Sequence, residues 1–223
     1  MQDNNNEFPP LEIFIQDFEW YMNRNREGFT QVQFKNRMEY GPQILSAYYD
    51  EYIHSLNKIV SVEKTIRNIT VNGIPLKGKL DKLEFNSNEV NIVDYKTGKI
   101  SNAKEKLKRP DEKNNLGGDY WRQAVFYKIL IDNYDVKNWK AVSTEFDFIE
   151  PDDKGKYHKV KIVITDADIT TVKQQITEVW NKIQNKEFYI GCGKTDCHWC
   201  NFVKTNDLSI NLHEVEPNEN EIE

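Results

Sequence analysis

Two short turn signals, Asn72-Gly73 and Asn86-Ser87-Asn88, separate three strand-like runs at residues 60–71, 76–85 and 89–95. No other feature restricts the fold as strongly. Asn-Gly readily adopts the left-handed backbone of a tight hairpin, and a cluster of Asn and Ser suits a looser one. Strands joined in this way lie side by side and antiparallel. A helical pattern follows at 119–131, then two further strand-like runs at about 139–149 and 157–164, joined by Pro151-Asp152-Asp153-Lys154-Gly155. The order predicts an α/β (α+β) chain built on a central sheet. Flanking helices are expected at 11–22, where Leu11, Phe14, Ile15, Phe18 and Met22 recur at helical spacing, and at 166–186. Another is expected at 40–56, with Gly41-Pro42 in its first turn.

The 223 residues suit one domain over 11–206, with a flexible arm at 1–10 and an acidic flexible tail at 207–223. The net charge of -6 by its sum argues against a nucleic-acid partner, but the tail alone carries Asp207, Glu214, Glu216, Glu219, Glu221 and Glu223 and no Lys or Arg. The remaining body is close to neutral and can hold a local basic groove. One candidate is 99–118, read as a mobile loop, where Lys99, Lys104, Lys106, Lys108, Arg109 and Lys113 face only Glu105, Asp111 and Glu112. No apolar run approaches membrane-spanning length, and Met1–Asn6 has no leader character, so a cytoplasmic protein without a membrane partner is expected.

Asn91-Ile92-Val93-Asp94-Tyr95-Lys96-Thr97-Gly98 places an acid and a base two residues apart at the end of an apolar strand. Residues two apart share a strand face, so Asp94 and Lys96 project together. Asp81 lies thirteen residues earlier, and a hairpin of that length could return it beside Asp94. Two carboxylates at close range repel unless a cation sits between them, which suggests Mg²⁺ or Mn²⁺ held by Asp81 and Asp94. A lysine beside such a site can orient water or stabilise charge on a phosphoryl group. Glu63, on the first strand, is a candidate supporting group. From spacing alone, a salt bridge between neighbouring strands is equally open.

Gly78-Lys79-Leu80-Asp81, then Val93-Asp94-Tyr95-Lys96-Thr97-Gly98, then Gln123-Ala124-Val125-Phe126-Tyr127 resembles the ordered series G-x-x-D, D-Y-K-T-G and Q-x-x-x-Y. That series belongs to the RecB-like branch of the PD-(D/E)XK nuclease superfamily. The resemblance implies a restriction-endonuclease-like core, a mixed central sheet flanked by helices. It also implies Asp81 and Asp94 as Mg²⁺ or Mn²⁺ ligands, catalytic assistance from Lys96, and the Tyr95 carbonyl as a supporting ligand. Within the branch the chain is similar to the C-terminal nuclease domain of bacterial UvrD/Rep-type (superfamily 1) helicases. DNA, single-stranded in particular, and the helicase motor domains of a longer polypeptide are then the expected partners. Gln123 and Tyr127 share a helical face with Tyr120 one turn earlier, and the three are candidate DNA contacts; core packing is the ordinary alternative. One departure stands out: relatives carry a histidine in a G-x-x-x-H context on an early helix, and here Gly41-Pro42 is followed by Gln43, Ile44 and Leu45, with no His. His54 lies outside that context. A catalytically weak or inactive module that binds DNA or docks a motor is therefore the alternative function.

Gly73-Ile74-Pro75-Leu76-Lys77-Gly78-Lys79-Leu80 mimics a phosphate-binding loop for seven positions. It fails at Leu80, where a hydroxyl is required, and it opens into a strand instead of a helix. The three cysteines, Cys192, Cys197 and Cys200, fall within nine residues, which suits a reducing compartment. Some relatives hold an iron–sulfur cluster here with four cysteines, a number this chain lacks. Zinc on the three thiols with His198 or His213 is one reading, and reduced thiols packed by Trp199 and Phe202 is the other.

Overall fold

The structure, a computed structural model, describes residues 7–187, 191–192 and 195–205. The chain divides into two compact units, Met1–Val172 and Lys173–Glu223.

The first unit is built on a five-stranded sheet in the order β1-β2-β3-β4-β5. Its strands are β1 (Val60–Val71), β2 (Ile74–Asn86), β3 (Glu89–Lys96), β4 (Lys140–Phe148) and β5 (His158–Ile162). All neighbours are antiparallel except β3 and β4, which run parallel. Asn72 and Gly73 both have positive φ, at 52° and 77°, so the first hairpin has the turn its dipeptide favours. The second turns on Ser87 (φ 58°) and Asn88, with Asn86 already paired to Glu89. Parallel strands need a crossover, and α3 (Asp119–Asp132) lies in the connection between β3 and β4. Its last turn is stapled to the start of β4: Lys128 donates to the Ala141 carbonyl, and the Ala141 N–H donates to Asp132. Leu80, Leu83, Val90, Ile92, Tyr127, Leu130 and Ile131 form much of the core. Among them Leu80, Leu83, Ile92 and Leu130 are fully removed from water, each contributing roughly 1.5–3 kcal/mol. Gly78 makes room for this packing, since a Cβ there would lie 2.3 Å from Leu130 Cδ1.

Three local expectations change. The helix expected at 40–56 is α2 (Gln31–Tyr52). It begins nine residues earlier because Thr30 and Gln33 form a capping box, and Pro42 sits inside it. Gly41 serves packing: a Cβ would lie 2.2 Å from Phe18 Cζ of α1 (Leu11–Arg24). The segment 99–118, expected to be a mobile loop, contains 3₁₀ turns at Ile100–Ala103 and Glu105–Leu107 with Ala103 buried. It is tied down where the Gly118 N–H donates to the Lys108 carbonyl and Arg109 binds Asp168. β5 stops short of the expected 164 because the Val163 carbonyl accepts from Arg109 and Thr165 begins the cap of α4 (Asp166–Gln184).

In the second unit, the described residues after α4 include the short helix α5 (His198–Thr205), preceded by the cysteines. The acidic tail lies outside the described residues.

Candidate active site

The β2–β3 ladder ends at Lys82↔Val93. One step further the register sets Asp81 across from Asp94. Beyond that ladder, the Tyr95 N–H donates to Asp81 Oδ2 at 3.0 Å, so the acid's side chain takes a place that a backbone carbonyl would fill in a continuing sheet. Burial pushes the Asp81 carboxyl above its usual range, and the Asp94 and Glu63 carboxylates add to the rise against the Tyr95 N–H, which opposes it.

Asp94 is 3% exposed. Its Oδ1 accepts from Gln123 Nε2 and from the Tyr127 hydroxyl, both at 3.0 Å. Its Oδ2 faces Lys96 Nζ at 2.6 Å but receives no well-aligned hydrogen bond. Lys96 in turn donates to Gln123 Oε1 at 2.8 Å and lies 4.4 Å from the centre of the Tyr120 ring, which stacks on Phe146. Gln123 thus binds the acid with its amide nitrogen and the base with its oxygen, holding both in one orientation. This is possible because Gln123 and Tyr127 sit one turn apart on α3, over the end of β3.

A buried carboxylate oxygen without a proper donor is costly unless a cation takes its lone pair. The donor set fits a hard divalent ion: Asp94 Oδ2, which has only the Lys96 ammonium facing it, and Asp81 across the strand pair are the oxygens that would hold it. The Lys96 ammonium meets part of this demand.

The sequence-predicted residues separate into two groups. Asp81, Asp94, Lys96 and Gln123 converge. Tyr127 converges too, but it is buried, with its hydroxyl on Asp94 and hydrogen-bonded by Gln123, so it supports the acid and presents no open ring face to a base. Burial and the adjacent Asp94 push its phenol well above the ordinary range. Tyr120 is half-buried beside Lys96. The Tyr95 side chain turns away and lies against Lys82 Nζ, leaving its backbone at the site. Glu63 is exposed and ion-paired to Lys79, at a β1 irregularity where its φ is 52°. Trp121, Val125 and Ile129 are buried as Tyr127 is, so α3 is covered on more than one side. Trp121 Nε1 donates to Asp168, a partner that sequence reasoning missed although Thr165-x-x-Asp168 has capping-box spacing. It also missed the opposite sheet face, where Tyr48 of α2 donates to Asp147 at 2.6 Å and Lys159 pairs with Asp147 at 3.2 Å. Asp147 and Lys159 stand opposite each other in the β4–β5 register, which only the folded sheet fixes.

The three cysteine sulfurs lie within 4.8 Å of one another and could hold a thiophilic ion such as zinc. His198 does not join that group, and His213 lies outside the described residues. Backbone N–H donation from Cys200, together with hydrogen bonds among the thiols, brings the Cys197 thiol down to about 7.

A mixed five-stranded sheet flanked by helices, with two acids and a lysine at the end of its inner strands, has the architecture of a nuclease core. The family model for the PD-(D/E)XK nuclease superfamily matches residues 13–205, and the chain belongs to that superfamily. Nucleases of this superfamily generally use divalent metals. Among solved structures, the chain is similar to a candidate exonuclease from Eubacterium rectale, at 15% identity and a TM-score of 0.45 over 88% of this chain and 75% of that one. It is also similar to the protein SSO0001, at 15% identity and a TM-score of 0.36 over 72% and 70%. No curated protein matches. No described helix is long and apolar enough to cross a membrane.

Proposed function

We propose that this chain is a Mg²⁺- or Mn²⁺-dependent deoxyribonuclease domain of the RecB-like branch. In this reading it hydrolyses phosphodiesters at single-stranded ends, in the cytoplasm. It would serve DNA repair or recombination with the motor domains of a UvrD/Rep-type helicase. The observation that carries the catalytic part is the buried Asp94, with Oδ2 lacking a proper donor, Asp81 across from it and Lys96 beside it.

Asp81 and Asp94 would hold the ion, which when bound supplies positive charge to the reacting phosphate. Lys96 carries a fixed ammonium able to donate to a water or a phosphoryl oxygen. Gln123 orients that ammonium and Asp94 together, and Tyr120 supports it from below. Tyr127 fixes the Asp94 rotamer through its hydroxyl.

The test is digestion of end-labelled single-stranded DNA with Mg²⁺, Mn²⁺ or EDTA, comparing wild type with Asp94→Asn. Metal-dependent products from wild type only are expected, with a loss of at least about a hundredfold in the variant. Equal residual cleavage by both proteins would refute the assignment. A second reading has its own support: Leu45 stands where relatives carry histidine, and Lys96 already occupies part of Asp94. It describes a nuclease-fold module that binds DNA or docks a motor without cutting, and predicts a gel shift or motor binding with no cleavage under any metal.

A further inference from the structure

The segment 99–118 places its positive charges unequally. Lys99 is paired with Asp153, Lys108 with Glu105, and Arg109 with Asp168. Lys106 has no acidic partner among the described residues. Its ammonium instead lies 5.2 Å from the centre of the Tyr120 ring, the ring that also carries Lys96 at 4.4 Å. The two ammoniums are therefore at most about 10 Å apart, sharing one aromatic support.

Lys106 is also held by its backbone. Gly118, the N-cap residue just before α3, packs so closely on it that a Cβ would lie 2.2 Å from the Lys106 carbonyl oxygen. The Gly118 N–H is bound to the Lys108 carbonyl at 2.8 Å, and Arg109, three residues beyond Lys106, is bound to Asp168 at 2.8 Å. The helix that supplies Gln123 and Tyr120 thus also fixes the backbone position of Lys106.

We infer that Lys106 is a phosphate-binding residue of this site, contacting a strand phosphate that flanks the one reacting beside Lys96. The inference rests on the nuclease reading and adds a substrate contact to it. A nucleic-acid strand passing this site meets two cations that share one aromatic support, one of them on a backbone held by the start of α3.

The experiment compares Lys106→Ala, Lys106→Glu and Lys106→Arg with wild type on labelled single-stranded DNA. It measures KM and kcat, and also Kd against salt in an Asp94→Asn background. Lys106→Ala should raise KM roughly fivefold with kcat nearly unchanged, as expected for one exposed charge-assisted contact. Lys106→Glu should raise it further, and Lys106→Arg should restore it. The slope of log binding constant against log salt should fall by about 0.7 in Lys106→Ala. Lys104→Ala, removing an exposed cation two residues away, should have less than half the effect. Unchanged KM and slope in Lys106→Ala and Lys106→Glu, with wild type still cutting, would overturn this inference and leave the nuclease reading standing. An equal effect of Lys104→Ala would overturn it too, by showing diffuse charge. A wild type that neither binds nor cuts nucleic acid would sink both.

Discussion

Asp168 offers a direct test of how the active-site helix is held. It is 5% exposed and accepts five hydrogen bonds: from Arg109 Nε and the Arg109 terminal nitrogen at 2.8 and 2.9 Å, from Trp121 Nε1 at 3.2 Å, and from the Thr165 N–H and hydroxyl at 2.8 and 2.9 Å. Burial by itself would push this carboxyl up, but hydrogen bonds from Arg109 and Thr165 together hold it well below the ordinary range. Replacing it with Asn keeps the shape and removes the charge. Bonds to a charged acceptor contribute about 1.5–3 kcal/mol against about 0.5–1.5 for neutral ones. The Arg109 side chain is 52% exposed, so its share is screened to about 1 kcal/mol. The capping contacts at Thr165 add about 1 kcal/mol. Asp168→Asn should thus cost about 2–3 kcal/mol at pH 7, lowering Tm by about 5–10 °C for a chain of this size.

The pH dependence follows from the depressed carboxyl. Above the unfolded value of about 3.9, the charged Asp168 contributes its full stability. As pH falls below that value and on through the folded one, the contribution is lost. Urea unfolding followed by circular dichroism should therefore show a gap between wild type and Asp168→Asn that is constant from pH 7 to 5 and narrows below about pH 4. A gap under about 0.5 kcal/mol at pH 7, or one that does not narrow in acid, would refute the reasoning.

Two further outcomes follow from local geometry. Gly118→Ala puts a Cβ against the Lys106 backbone, so it should destabilise by about 1–3 kcal/mol and expose 99–118 to limited proteolysis, read by urea midpoints and mass spectrometry of the first cleavage. In metal-free protein, iodoacetamide should label Cys197 with a midpoint near pH 7, because the thiol is brought down to about 7, and added zinc should slow the labelling.

Much of the sheet was legible along the chain because its information is local. Asn72-Gly73 demands a backbone that few other dipeptides adopt, and β1 ends and β2 begins around it as expected. The helix at 119–131 emerged within one residue, since its apolar density needs no distant partner to declare itself. The start of α2 was less legible: Gly41-Pro42 looks like a helix beginning, yet tertiary packing of Phe18 on Gly41 makes it a helix interior. The segment 99–118 read as a solvated loop because the acid that clamps it, Asp168, lies 59 residues from Arg109.

The site divides in the same way. Residue order along the chain determined that Asp94 and Lys96 share a strand face and that a hairpin can return Asp81 to them, because strand periodicity and turn chemistry act over a few residues. Only the tertiary structure decided that Gln123 grips acid and base at once and that Tyr127 is a buried brace for Asp94. It alone also set Lys106 and Lys96 against the same Tyr120 ring. Those contacts depend on where α3 crosses the sheet, and that position is set by burial of side chains drawn from β1 to β4 at once.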